Sequence, residues 1–173
     1  MAPVSHSTWG LRGQTPRITH ATTRIRYSAL GAIVAGGKGK RPRFYFRIYP
    51  HNIRSEQVIK FIDHLLFMIP GHIVLVWDNL PTHRAKVVKE FAANYPRLHI
   101  EKLPPYAPEL NPVENAWSQM KYHELGNFTP ATPDELYRAA QDAAQNIRWS
   151  PKKCSSFLRS IPLKWSEDKY FFT

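Results

Sequence analysis

Ile73-Val-Leu-Val-Trp77 is apolar at every position and ends abruptly in Asp78-Asn79-Leu80-Pro81. A short unbroken apolar run between turn residues predicts a strand buried on both faces, with other elements packed on each side of its sheet. The neighbouring patterns supply those layers. Val58, Phe61, Ile62, Leu65 and Ile69 recur at helical spacing from Ser55 until Pro70-Gly71 stops the helix. A second helix is predicted from about Thr82, with Val88, Phe91, Ala92 and Tyr95 on one face. Upstream, residues 25–35 and 44–49 read as a hairpin joined by a glycine-rich basic turn. Downstream, residues 98–103 read as a short strand, and Asn111-Pro112 opens a helix with an N-cap residue followed by proline. Thr132-Pro133-Asp134-Glu135 opens another in capping-box form, with Leu136, Ala139, Ala140, Ala143 and Ile147 on its inner face. Ser150-Pro151 starts a short basic helix that ends near Arg159. Hairpin, helix, strand, helix, strand, helices is the order of an α/β domain.

Charge says what such a domain meets. The formal net charge is +11 over 173 residues. Residues 1–54 hold ten Lys/Arg and no acid, so nearly all the excess lies in the first third. Lys38, Lys40, Arg41 and Arg43 cluster at the hairpin turn, with Arg24 and Arg26 nearby in sequence. Two readings stand: a solvated turn that aids solubility, or contact with a phosphate backbone, which Lys and Arg bind by displacing condensed counterions. The single cysteine, Cys154, excludes an internal disulfide and a cysteine-based zinc site, and reads as an inert thiol in a reducing compartment. The eight histidines show no His-Glu-x-x-His pairing. The longest apolar stretch is broken by Pro70-Gly71-His72 and cannot span a bilayer. A soluble, cytoplasmic protein is expected.

Asp78 falls at the C-terminal end of the buried strand, where α/β sheets place their ligands. Asp78-Asn79-Leu80-Pro81 also fits a plain turn. Glu114 lies three residues after Asn111, the spacing of a capping box, and on spacing alone capping is a stronger reading than a place in a metal site. His83 reads as a surface residue at a helix start, Trp117 as core, and Glu109 as a turn residue.

Asp78-Asn-Leu-Pro-Thr-His83, followed by Leu103-Pro-Pro-Tyr-Ala-Pro-Glu-Leu-Asn-Pro-Val-Glu-Asn-Ala-Trp117, resembles the catalytic core of DDE transposases. Within them it is similar to the bacterial insertion-sequence branch of the mariner-like superfamily. Trp9-Gly-Leu-Arg-Gly-Gln-Thr-Pro16 resembles the segment that follows the first catalytic strand there. The likeness covers roughly residues 9 to 150, leaving 151–173 as a C-terminal basic helix and tail. It implies a ribonuclease H-like mixed sheet flanked by helices. Asp78 and Glu114 would be the second and last catalytic carboxylates, ligating two Mg²⁺ or Mn²⁺ ions, and the partners would be transposon ends and target DNA in a homodimeric complex.

The resemblance also implies a first aspartate on a central strand, yet no Asp or Glu precedes Glu56. The expectation is therefore a chain lacking that strand and the helix-turn-helix region before it. An upstream-frame product would supply both, and the isolated chain would be inactive. The alternative is a catalytically dead DNA-binding remnant of a transposase.

Overall fold

The computed structural model describes residues 9, 11–13, 26–35, 40–162 and the backbone of 171–172. The hairpin forms as the pattern predicts: β1 (Ser28–Val34) pairs antiparallel with β2 (Arg43–Tyr49). Helix α1 (Ser55–Met68) follows, and the Arg54 N–H at its start donates to Gln57 Oε1 at 2.9 Å. β3 (Ile73–Trp77) is the apolar run itself. Next come α2 (Lys86–Ala93), β4 (Leu98–Lys102), α3 (Pro112–Gln119), α4 (Pro133–Arg148), α5 (Pro151–Ser160) and the two-residue β5 (Phe171–Phe172). Among the described residues no helix is long and apolar enough to cross a membrane.

The strand order is β2-β1-β5-β3-β4. β5 runs antiparallel to β1 and parallel to β3, and β3 is parallel to β4. Between β1 and β3 the resemblance leaves a gap with two unpaired edges. In that position β5 bridges the two strands, joining Ile33 and Val34 on one side to Leu75 and Val76 on the other.

Side-chain alternation divides the core into two faces. Ala32, Val34, Tyr45, Ile73, Leu75 and Trp77 join α1 and α2 on one face. Ile33 and Phe44 join α3, α4 and α5 on the other, with Cys154 and Leu158 of α5 in the same cluster. Of the apolar helix positions read from spacing, Val58, Phe61, Ile62 and Leu65 on α1, Val88 and Ala92 on α2, and Leu136, Ala140, Ala143 and Ile147 on α4 are buried, while Phe91, Tyr95 and Ala139 are half-buried. Cys154 is fully buried, and burial pushes its thiol up to about 11, as an inert cysteine requires. Arg97, before β4, donates to the carbonyls of Leu66, Ile69 and Gly71, which satisfies the open C-terminal end of α1.

One glycine sets how closely α3 approaches the sheet. A Cβ on Gly31 would lie 2.7 Å from Cζ2 and Cη2 of Trp117 and 3.0 Å from Phe44 Cε2. The indole therefore lies against bare backbone in β1, and its helix sits correspondingly low. Gly31→Ala should push α3 outward and cost about 1–3 kcal/mol, the range for overpacking. Urea unfolding measures this, and an unchanged midpoint at constant slope would show that the close approach is dispensable.

Candidate metal centre

β3 delivers Asp78 at its C-terminal end and α3 delivers Glu114 in its first turn. The two line one cavity of about 530 Å³ with Gly31, Leu75, Trp77, His83, Asn111 and Trp117. Both ends of this arrangement are pinned by hydrogen bonds. Leu103 N–H donates to the Trp77 carbonyl at 2.8 Å, and Asn79 Nδ2 donates to the Leu103 carbonyl at 3.0 Å. The end of β4 therefore holds the Asp78 turn. Asn111, buried, accepts from Val113 N–H at 3.1 Å through Oδ1 and fixes the start of α3.

His83 is where sequence reasoning fell short. It is not a surface residue: its side chain is only 10% exposed, and its ring stacks on Trp77 at 4.5 Å with an interplanar angle of 6°. Nδ1 lies 2.9 Å from Asp78 Oδ1, the same oxygen that accepts the Leu80 N–H at 3.1 Å. Both contacts fall on Oδ1, so Oδ2 is the oxygen turned to other partners. The signal was a histidine five residues beyond a strand-end aspartate, with Pro81 between to fold the chain back. That same fold-back corrects the helix boundary. Pro81–Arg84 is a turn in which His83 and Arg84 N–H groups donate to the Leu80 carbonyl, and α2 starts at Lys86 rather than near Thr82.

Glu114 is released from the capping role its spacing allows. The Asn111 N–H donates to the Pro108 carbonyl at 3.0 Å, so the amide that a capping glutamate would serve is already satisfied. Trp117 is partly buried against the core, edge-on to Phe44 at 5.7 Å, as expected of a core residue. Glu109 lies exposed in a 3₁₀ turn. Tyr106, in the proline-rich loop, is fully exposed and adopts φ +58°.

The two carboxylates are driven apart in acidity. Burial works to raise Asp78, but the His83 and Leu80 hydrogen bonds outweigh it and hold the group below its usual range. Partial desolvation, and then the negative charge of Asp78, raise Glu114 above its own. Among the described residues no group of three His, Cys, Asp or Glu is placed to hold a metal ion.

Of the basic cluster, Arg26, Lys40, Arg41 and Arg43 are exposed, while Arg24 and Lys38 lie outside the described residues. So does most of the segment that follows Trp9.

Because the folded pKa of Glu114 is raised, its contribution is fully present below the unfolded value of about 4.3 and is lost as pH rises through the folded value. Asp78 acts in the opposite sense: its contribution is present above about 3.9 and lost as pH falls through its lowered folded value. Removing the Glu114 charge should therefore help more at neutral pH than in acid. In chelator, the melting temperature of Glu114→Gln relative to the unchanged chain should increase from pH 4 to pH 7. A difference that shrinks over that range would show that the carboxylates do not repel each other.

The profile of the DDE superfamily endonuclease family matches residues 1–136. The Tcb2 transposase of Caenorhabditis briggsae is 28% identical over 101 residues, covering 51% of this chain and 36% of that protein. The Mos1 transposase paired-end complex with left transposon end gives a TM-score of 0.55 at 15% identity, covering 98% of this chain and 52% of that one. The Mos1 Strand Transfer Complex gives 0.53 at 12% identity, over 95% and 52%. The chain thus spans about half the length of these structures and about a third of the curated relative. At such identities the structural likeness shows the fold, which is ribonuclease H-like. The matched profile covers well over half of the 173 residues, and the chain belongs to the DDE superfamily endonuclease family.

Proposed function

We propose that this chain is the metal-holding part of a transposase catalytic domain, with Asp78 and Glu114 as ligands for Mg²⁺ or Mn²⁺ and DNA as the substrate. The observation that carries this is the shared cavity: two carboxylates from distant elements face one space, and the charge of one raises the pKa of the other. Such a donor set suits a hard divalent cation, which takes one or two carboxylates and keeps several waters. His83 and Leu80 hold Asp78 ionised and oriented, and its Oδ2 is the oxygen offered to the ion. Glu114 closes the opposite side from the first turn of α3. In the two-ion arrangement that the family resemblance implies, the ions supply charge stabilisation for in-line displacement at phosphorus. The proline-rich stretch from Leu103 to Trp117 supports the finer placement in the insertion-sequence branch. Transposon-end DNA, present in the Mos1 paired-end complex, is the partner carried to this chain. A second reading, a DNA-binding remnant without catalysis, is favoured by the lack of a third ligand among the described residues.

Calorimetric Mn²⁺ titration tests the site. Asp78→Asn and Glu114→Gln should each abolish measurable binding. His83→Ala should weaken it by about 10–100-fold, the usual effect of removing a residue that orients a ligand. Undiminished binding in Asp78→Asn and Glu114→Gln would place the ion elsewhere. Mg²⁺-dependent nicking of supercoiled DNA by the chain together with the upstream-frame product that the resemblance implies then separates an enzyme from a remnant.

DNA binding has its own readout. Neutralising Lys38, Lys40, Arg41 and Arg43 together should flatten the log–log salt dependence of duplex binding by about 0.9 for each phosphate that the chain no longer neutralises. An unchanged slope and affinity would leave the cluster as a solubility device.

A further inference from the structure

A second cavity, of about 540 Å³, straddles the outer edge of β2, away from the two carboxylates. β2 is the edge strand of the sheet, and α1 and α4 flank it on opposite faces. Arg47 of β2, Lys60 and His64 of α1, and Tyr137, Gln145 and Arg148 of α4 converge on this space. Lys60 is paired with Glu56 at 2.6 Å, but neither Arg47 nor Arg148 is in an ion pair among the described residues. The Gln145 Oε1 is buried without a hydrogen-bond partner.

Strand directions place this cavity relative to the metal centre. β2 is antiparallel to β1, β1 is antiparallel to β5, and β5 is parallel to β3, so β2 and β3 run the same way. Ile33 pairs with Phe172, which pairs with Val76. Two residues along, Gly31 stands level with Asp78, and Gly31 pairs with Phe46, next to Arg47. Arg47 and Asp78 therefore lie at nearly the same level across the sheet, three strand spacings or roughly 14 Å apart.

We propose that this cleft is a second phosphate site, which grips the backbone of the same nucleic acid that reaches Asp78 and Glu114. Two arginines offer planar forks that match phosphate oxygens, and the Tyr137 hydroxyl and the Gln145 amide add neutral donors of the kind that position a backbone without reading bases. The electrostatics agree. Burial, and then the charges of Arg47 and Arg148, hold His64 below the usual imidazole range, while Asp63 works the other way. Tyr45 meets its ring edge-on, Tyr49, Lys60 and Tyr137 share the cleft with it, and Tyr95 and Arg97 share a neighbouring cavity. The cleft thus carries positive charge that its own acids leave uncompensated.

This rests on the DNA reading above, and the test separates the two. The full chain and the double variant Arg47→Gln/Arg148→Gln are compared; both side chains are exposed, so the fold survives the change. Inorganic phosphate is titrated while the His64 imidazole is followed by NMR, and a short duplex is bound over a range of salt. Phosphate should raise the His64 pKa in the unchanged chain and not in the variant. The variant should bind duplex about tenfold more weakly, with a slope lower by about 0.9 per phosphate released, and should hold Mn²⁺ as before. Equal duplex affinity and slope in both proteins would overturn the proposal. If phosphate shifts His64 but duplex binding ignores the substitutions, the cleft takes a free phosphate and the assignment to a nucleic-acid backbone is wrong. If the unchanged chain binds no duplex at all, the DNA reading itself fails.

Discussion

The distance between α3 and the sheet depends on one contact, the Trp117 ring lying against Gly31. Any side chain in β1 at that point would meet the indole, so the helix would stand off and carry Glu114 with it. The start of the same helix is fixed separately, by Asn111 accepting from Val113 N–H in a buried setting. A ring on one turn and a cap before the first turn leave Glu114, which lies between them, little room to wander. Asp78 is held with equal economy. Its strand is clamped to the end of β4 by Leu103 and Asn79, and its carboxylate is clamped to the turn by Leu80 and His83. The scaffold thus fixes two acids from opposite layers, and the centre depends on both fixings together.

The acids differ in what that scaffold does to them. Asp78 meets donors and stays ionised; Glu114 meets partial burial and a like charge, and resists ionisation. Titratable neighbours pushed apart in this way are a mark of functional sites, because the folded chain bears a cost that a ligand relieves. If a cation occupies the cavity as proposed, its binding and the ionisation of Glu114 are linked events, because positive charge relieves the repulsion between the two carboxylates.

Most of the fold was legible because its signals are local. The apolar run became β3 residue for residue, and α1 begins at Ser55 and stops just before Pro70-Gly71 as the periodicity requires. What was not legible depends on contacts distant in sequence or on competition between partners. The α2 start moved because Pro81–Arg84 is drawn into a turn around Asp78. The Glu114 capping box did not form because a backbone carbonyl three residues upstream of Asn111 already served its amide. The π-helical turn at Met120–Glu124, closed by Leu125 N–H on the Met120 carbonyl at 2.9 Å, left no trace in the residue pattern. The two-residue β5 was invisible for a different reason: a strand that short has no period, and only the two edges it bridges define it. His83 shows the limit within the site itself. Its role comes from stacking on Trp77, six residues back along the chain, and no helical or strand spacing encodes that fold-back.

The register of the strands joins charge to chemistry. Gly31 stands level with Asp78 and pairs with Phe46, so Arg47, the next residue, lies across the sheet from the carboxylate at nearly the same level. On the proposed reading, a polyanion drawn to the basic edge would lie across the sheet toward two carboxylates, which by themselves repel it. Positive charge at the edge and negative charge at the centre would then act in sequence: the first would draw a phosphate backbone in, and the second would accept it only once a cation had reversed its sign locally.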